Sequence, residues 1–125
     1  MTDAVPFQST FFSVVRESDL YRVTIERDQL TDDDNLEQFG QDFHLLIEKH
    51  EVMKFALLMS RVQYMTSSAI GKLITFHRKI NRLGGTLVLC ELSPEVSGTL
   101  GTAQLLTYFN ICSDFAGALL TLSPE

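Results

Sequence analysis

Ten lysines and arginines against sixteen aspartates and glutamates leave this 125-residue chain with a formal charge of −6. Phosphate neutralisation needs clustered cations, so the shortage argues against nucleic acid as a partner and against an anionic membrane surface. Long hydrophobic runs are missing too, and no stretch approaches the apolar length a bilayer span requires. The start, Met1-Thr2-Asp3-Ala4-Val5-Pro6, has neither a basic region nor an apolar one, so no secretory signal is read and a cytoplasmic protein is expected. Cysteine is scarce: Cys90 and Cys112 both lie in or beside apolar strand-like runs and are expected to be buried, reduced thiols. Neither has a metal-site spacing with another Cys or His, and no metal or cofactor is expected.

Catalytic equipment is equally thin. Gly84-Gly85 and the Gly98 to Gly101 stretch lack the spacing and the lysine of a phosphate-cradling loop. A serine hydrolase needs its nucleophile on a glycine-flanked elbow, whereas Ser67 has Thr66 before it and Ser68-Ala69 after it. His44 and His50 fall in a helical segment with no partner constellation and are expected to be solvated, while His77 reads as a core-edge residue on an apolar stripe. A hydrolase built on Ser67 or Cys90 with His77 would lack an orienting carboxylate. These gaps favour a binding or switching module over an enzyme.

What is present is an ordinary globular composition, 45% hydrophobic and 21% charged, expected to form one domain over residues 1–125. Phe11 to Val15 and Leu20 to Ile25 read as an antiparallel hairpin turning at Arg16-Glu17-Ser18-Asp19. Asp32-Asp33-Asp34 reads as the capped, dipole-compensating start of a helix with the stripe Leu36, Phe39, Phe43, Leu46, Ile47, rather than as a metal-binding run. Phe55-Ala56-Leu57-Leu58-Met59 has the continuous apolar character of a strand buried on both faces. A helix to about Leu83 follows, with Ile70, Leu73, Ile74, His77 and Ile80 on one side. Gly84-Gly85 stops it. Then come a strand at Thr86 to Cys90, a short helix capped by Ser93 with Pro94 at its first position, a weak strand at Phe109 to Cys112, and a last helix capped at Ser113-Asp114 with Phe115, Ala118 and Leu119. The order implies an α/β fold: a mixed sheet of four to five strands with an N-terminal antiparallel hairpin, later strands parallel, and about four helices.

Three hydroxyls, Thr66-Ser67-Ser68, stand where the buried strand gives way to the helix. Ser and Thr are preferred caps there, which is the ordinary role for such a triplet. The same place favours negative charge, because unpaired amides and the positive end of the helix dipole meet there. A phosphate on Ser67 would add about −1.5 to −2 charge without breaking the fold, and a partner docked on Ser67 and its neighbours Tyr64, Met65 and Ile70 would be repelled. Residues beyond the carboxyl ends of parallel strands are where such folds gather function, which adds Leu92 and Ser93.

The run Val62 to Leu73, then Gly84-Gly85-Thr86-Leu87-Val88-Leu89-Cys90, then Leu92-Ser93-Pro94-Glu95-Val96, resembles the STAS domain of bacterial anti-sigma factor antagonists. The likeness runs from the hairpin to the last helix. It implies a non-enzymatic module of transcription regulation or stress response. When unphosphorylated, such a module binds an anti-sigma factor with a serine-kinase fold; the kinase ends the interaction by phosphorylating a serine at this junction, and a serine phosphatase restores it. The family pattern Asp-Ser-Ser-Gly-Leu-Gly, laid on this chain, makes Ser67 the acceptor, with Thr66 and Ser68 as alternatives and Tyr64, Met65, Thr66, Ser67, Ser68, Ile70, Leu92 and Ser93 as the partner surface. Thr66 stands in place of the usual Asp, Ala69 in place of Gly, and Leu58 where the preceding strand commonly has Asp. Stressosome-type relatives also use hydroxyls in this region, and others are constitutive scaffolds, which is the alternative role.

Overall fold

The computed structural model describes residues 2–4, 7, 9–49 and 52–122. In chain order the elements are β1 (Thr2–Ala4), β2 (Phe12–Glu17), β3 (Leu20–Ile25), β4 (Gln29–Leu30), a 3-10 turn (Asp32–Asp34), α1 (Leu36–Glu48), β5 (Lys54–Leu58), β6 (Tyr64–Met65), α2 (Ser67–Arg82), β7 (Thr86–Cys90), α3 (Pro94–Thr102), β8 (Asn110–Cys112) and α4 (Phe115–Leu122). The expected α/β architecture is present. Its main sheet has six strands in the order β1-β2-β3-β5-β7-β8, antiparallel through the hairpin and parallel from β3 onward. The strand beyond the expected four to five is β1, whose Thr-Asp-Ala sequence has no strand pattern and which takes its conformation from pairing with β2.

Pleating assigns the side chains to two faces. Tyr21, Val23, Phe55, Leu57, Leu87 and Leu89 face the larger core, while Leu20, Ala56, Val88 and Cys90 face a smaller one beneath Ala118 and Leu122 of α4. Helices therefore cover both faces of β5 and β7, which is why those strands are apolar after their first residues, Lys54 and Thr86. The larger core centres on aromatic rings. Phe43 of α1 stacks on Phe76 of α2 with centroids 4.3 Å apart, and also meets Phe12 and Phe55. Phe76 was outside the stripe expected for α2, in which Ile74 is only half-buried.

Several local readings change. The hairpin turn tightens onto Ser18-Asp19, with Ser18 at φ 58° in the left-handed region, so Arg16 and Glu17 belong to the strand. The aspartate run does not start α1: it forms its own 3-10 turn, and Asn35 caps the helix by accepting from the Gln38 amide. Gly84 (φ 86°) and Gly85 reverse the chain as expected, and a Cβ on Gly85 would collide with the Met53 carbonyl oxygen. Cys90 is buried, but Cys112 is only half-buried, because β8 lies at the sheet edge. His44 is exposed, with Nε2 3.0 Å from Lys79 Nζ and 3.4 Å from Glu48; His50 lies outside the described residues.

His77 is 6% exposed, with Nε2 3.2 Å from the Asn81 amide nitrogen and the ring against Tyr108 and Phe109. Among the described residues Nδ1 has no partner. Burial holds its pKa below the ordinary 6.5, so the unfolded chain takes up the proton first. The corresponding stability is complete above pH 6.5 and is lost as pH falls below that value toward the folded one. Unfolding titrations from pH 7.5 to 5 should show the wild type losing more stability than His77→Gln. Phe43→Ala should lower the unfolding free energy by about 3–5 kcal/mol, read from urea midpoints at constant m-value.

Candidate functional site

Beyond β5 the backbone is tied to its neighbours: the Met59 amide donates to the Cys90 carbonyl (3.1 Å) and the Gln63 amide to the Asp28 carbonyl (2.6 Å). β6 then lies parallel to β4, and the Thr66 amide donates to the Leu30 carbonyl (3.1 Å). These bonds aim α2. Thr66 is its N-cap, extended at φ −84° and ψ 168°, with its hydroxyl accepting from the Ala69 amide (3.4 Å). The same hydroxyl donates to Asp32 Oδ1 at 3.0 Å. Thr66 is thus engaged in both directions, while Ser67 and Ser68 in the first turn are exposed and neither hydroxyl bonds another described residue.

Asp32 is the residue the sequence reading missed. It lies 34 positions before Thr66, and only the β4–β6 pairing brings the two loops together. Beside it, the Thr31 amide and hydroxyl donate to Asp34 Oδ2 at 2.9 and 2.7 Å, and the hydroxyl bond leads in lowering that carboxyl's pKa. α2 has no acidic residue in its own first turn, so Asp32 brings negative charge to its positive end from another part of the chain.

The expected partner-surface residues divide by exposure. Tyr64 is 56% exposed, and Ser67 and Ser68 are open; Thr66 and Leu92 are half-buried. Met65 and Ile70 are 3% and 7% exposed, so Met65 holds the junction from beneath and Ile70 presents only a small apolar edge to the groove beside Ser67. The Ser93 hydroxyl donates to the Val62 carbonyl (2.8 Å) and accepts from the Val96 amide (3.2 Å), which makes it the strut between α3 and the junction loop. α3 adds residues that sequence reasoning did not list: Gly98, Thr99, Thr102 and Ala103 face Ser67 and Ile70 across an open groove of about 450 Å³. Their spacing along α3 carries no chemical motif.

His77 packs against the Tyr108–Phe109 segment, and burial pushes the Cys90 thiol up to about 12. Neither bonds Ser67 or lines the groove beside it. No group of three or more His, Cys, Asp and Glu side chains among them is placed to hold a metal ion. No described helix is long and apolar enough to cross a membrane.

The model of the STAS domain family matches residues 17–118. The chain belongs to the STAS domain family. This is a family of non-enzymatic binding domains, and the likeness is to its anti-sigma factor antagonists. The chain is 26% identical over 76 residues to the anti-sigma F factor antagonist of Paenibacillus polymyxa, a match that covers 61% of this chain and 65% of that protein. Its fold is similar to that of a Thermotoga maritima protein assigned as an anti-sigma factor antagonist (TM-score 0.78, 20% identity, 90% of this chain and 95% of that one). It is likewise similar to the structure of an anti-sigma factor antagonist from Mycobacterium paratuberculosis (TM-score 0.77, 13% identity, 89% and 92% covered).

Thr66→Ala removes both hydroxyl bonds of the STAS junction and should lower stability by about 1 kcal/mol, read from chemical unfolding. Thr66→Asp keeps a capping oxygen but sets it against Asp32. Adding Asp32→Asn should recover stability, with a coupling of roughly 0.5–1 kcal/mol in the double-mutant cycle; additive effects would mean the two side chains do not interact.

Proposed function

We propose that this STAS domain is an anti-sigma factor antagonist whose binding is ended by phosphorylation at Ser67. The observation that carries the reading is the position of Ser67: an exposed, unbonded hydroxyl in the first turn of α2, beside a groove walled by α3. The first-turn amides of a helix have no carbonyl one turn earlier, and with the dipole they accommodate a phosphate oxygen locally. The fold then survives modification while the docking surface gains about −1.5 to −2 charge.

Ser67 is preferred over its neighbours. The Thr66 oxygen already holds the cap and Asp32, so phosphorylation there would break both and set a phosphate against a carboxylate. Ser68 is equally exposed but is not on the groove that Ser67 lines. Asp32 also answers the departure at Thr66: the carboxylate that the family pattern carries at that position is supplied from the neighbouring loop. The partners of this reading are a serine-kinase-fold anti-sigma factor, which also phosphorylates Ser67, and a serine phosphatase that reverses the modification, all in the cytoplasm.

Binding to the kinase-fold partner encoded nearest this gene tests the proposal. The wild type and Ser67→Ala should bind alike, and Ser67→Asp should bind at least about tenfold more weakly, since uncompensated charge at an interface costs on the order of 1 kcal/mol or more. Equal affinity for Ser67→Asp would overturn the switch. A stable oligomer unmodified at Thr66, Ser67 and Ser68 in stressed cells would instead favour the scaffold role.

A further inference from the structure

On the face of the sheet away from the aromatic core, the two cysteines are register partners. Cys90 ends β7, Cys112 ends β8, and the parallel ladder sets them directly side by side. Paired residues of neighbouring strands project to the same face, and the inter-strand spacing of about 4.8 Å falls within the Cα separations, roughly 4.4–6.8 Å, that a disulfide spans. Both side chains lie in the cluster beneath α4, Cys90 fully buried and Cys112 packed against it. Cys112 Sγ is also 3.3 Å from Thr121 Oγ1, and a Cβ on Gly117 would lie 3.4 Å from the Cys112 Cβ, so α4 passes directly over this thiol.

We propose that Cys90 and Cys112 are an oxidisable dithiol that closes to an intramolecular disulfide on exposure to peroxide. The two thiols have unequal roles. Cys112 is half-buried on an edge strand of three residues whose single sheet neighbour among the described residues is β7, so it is the thiol a small oxidant reaches, and its strand is the one able to shift toward its partner. Burial, with Glu91 and Asp114 adding to it, raises the Cys90 thiol to about 12, which makes Cys90 the resolving partner and not the first to react.

In the first step the Cys112 thiolate attacks one peroxide oxygen: an S–O bond forms, the O–O bond breaks, and the departing hydroxide takes a proton to become water. In the second, the Cys90 sulfur displaces the hydroxyl from the sulfenic sulfur: the S–S bond forms, the S–O bond breaks, and the Cys90 proton leaves with the hydroxyl as a second water. Two thiols are oxidised by two electrons and one peroxide is reduced. The closed loop contains the whole of α3, the helix that walls the groove beside Ser67.

Hydrogen peroxide added to the reduced, folded full-length chain should lower its intact mass by two hydrogens. Cleavage at Glu91 and Glu95 separates the cysteines, so the digest should contain one Cys90–Cys112 linked peptide that dithiothreitol resolves into two. Under the same treatment Cys90→Ala should gain oxygen at Cys112 in place of the bridge, and Cys112→Ser should leave Cys90 a free thiol. The proposal is overturned if wild-type Cys112 accumulates oxygen while Cys90 stays reduced, if the link forms only in denaturant, or if the product is a disulfide between two chains.

Discussion

The stack of Phe43 on Phe76 is the contact on which the rest of the molecule depends. It locks α1 to α2, and through Phe12 and Phe55 it presses both helices onto the sheet. Rings of this size bury large areas and tolerate few relative orientations, so the pair fixes an angle as well as supplying hydrophobic stabilisation. With α2 held along its length by that contact, its first turn has one available place: above the carboxyl ends of β5 and β7, facing α3.

The end of the sheet that carries the hydroxyl triplet is then tied together by a short strand pair and by side-chain bonds. β4 and β6 pair over two residues each, too short to stand alone, yet enough to carry Asp32 to Thr66. Ser93 performs the same task on the other side by bonding the Val62 carbonyl. The result separates labour within the hydroxyl triplet: Thr66 is structural, and Ser67 and Ser68 are left free. A phosphate-sensitive surface needs that separation, since a group that both caps a helix and accepts a charge would unsettle the fold each time it was modified.

Most of this fold was legible in the chain itself. The stripe of α1, the apolar strands β5 and β7, the Gly84-Gly85 reversal and the Ser93-Pro94 helix start all arise from local chemistry that tertiary context did not override. The signal failed where structure comes from pairing alone. β1 is a strand only because β2 lies beside it, and β4 and β6 carry no periodicity at two residues. The candidate site followed the same division. That the hydroxyl triplet caps α2 could be read from position, but which of the three is the cap could not, nor could Asp32, because its contact spans 34 residues and its own neighbours explain it fully as part of an acidic turn. Met65, Ile70 and Ser93 were read as partner surface, because sequence could not tell a side chain that presents the surface from one that supports it.

The hydrogen bond between Asp32 and Thr66 makes the surroundings of Ser67 discontinuous in the chain. The groups around that serine come from the loop after β3, the end of β6, the first turn of α2 and one side of α3, and no short peptide cut from this chain would reproduce them. Under the proposed switch, an enzyme acting on Ser67 would therefore meet a folded epitope and not a linear motif. On that proposal, unfolded or nascent chains, which expose the same three hydroxyls without Asp32 beside them, would be poor substrates, and the modification would report on a domain that has already folded.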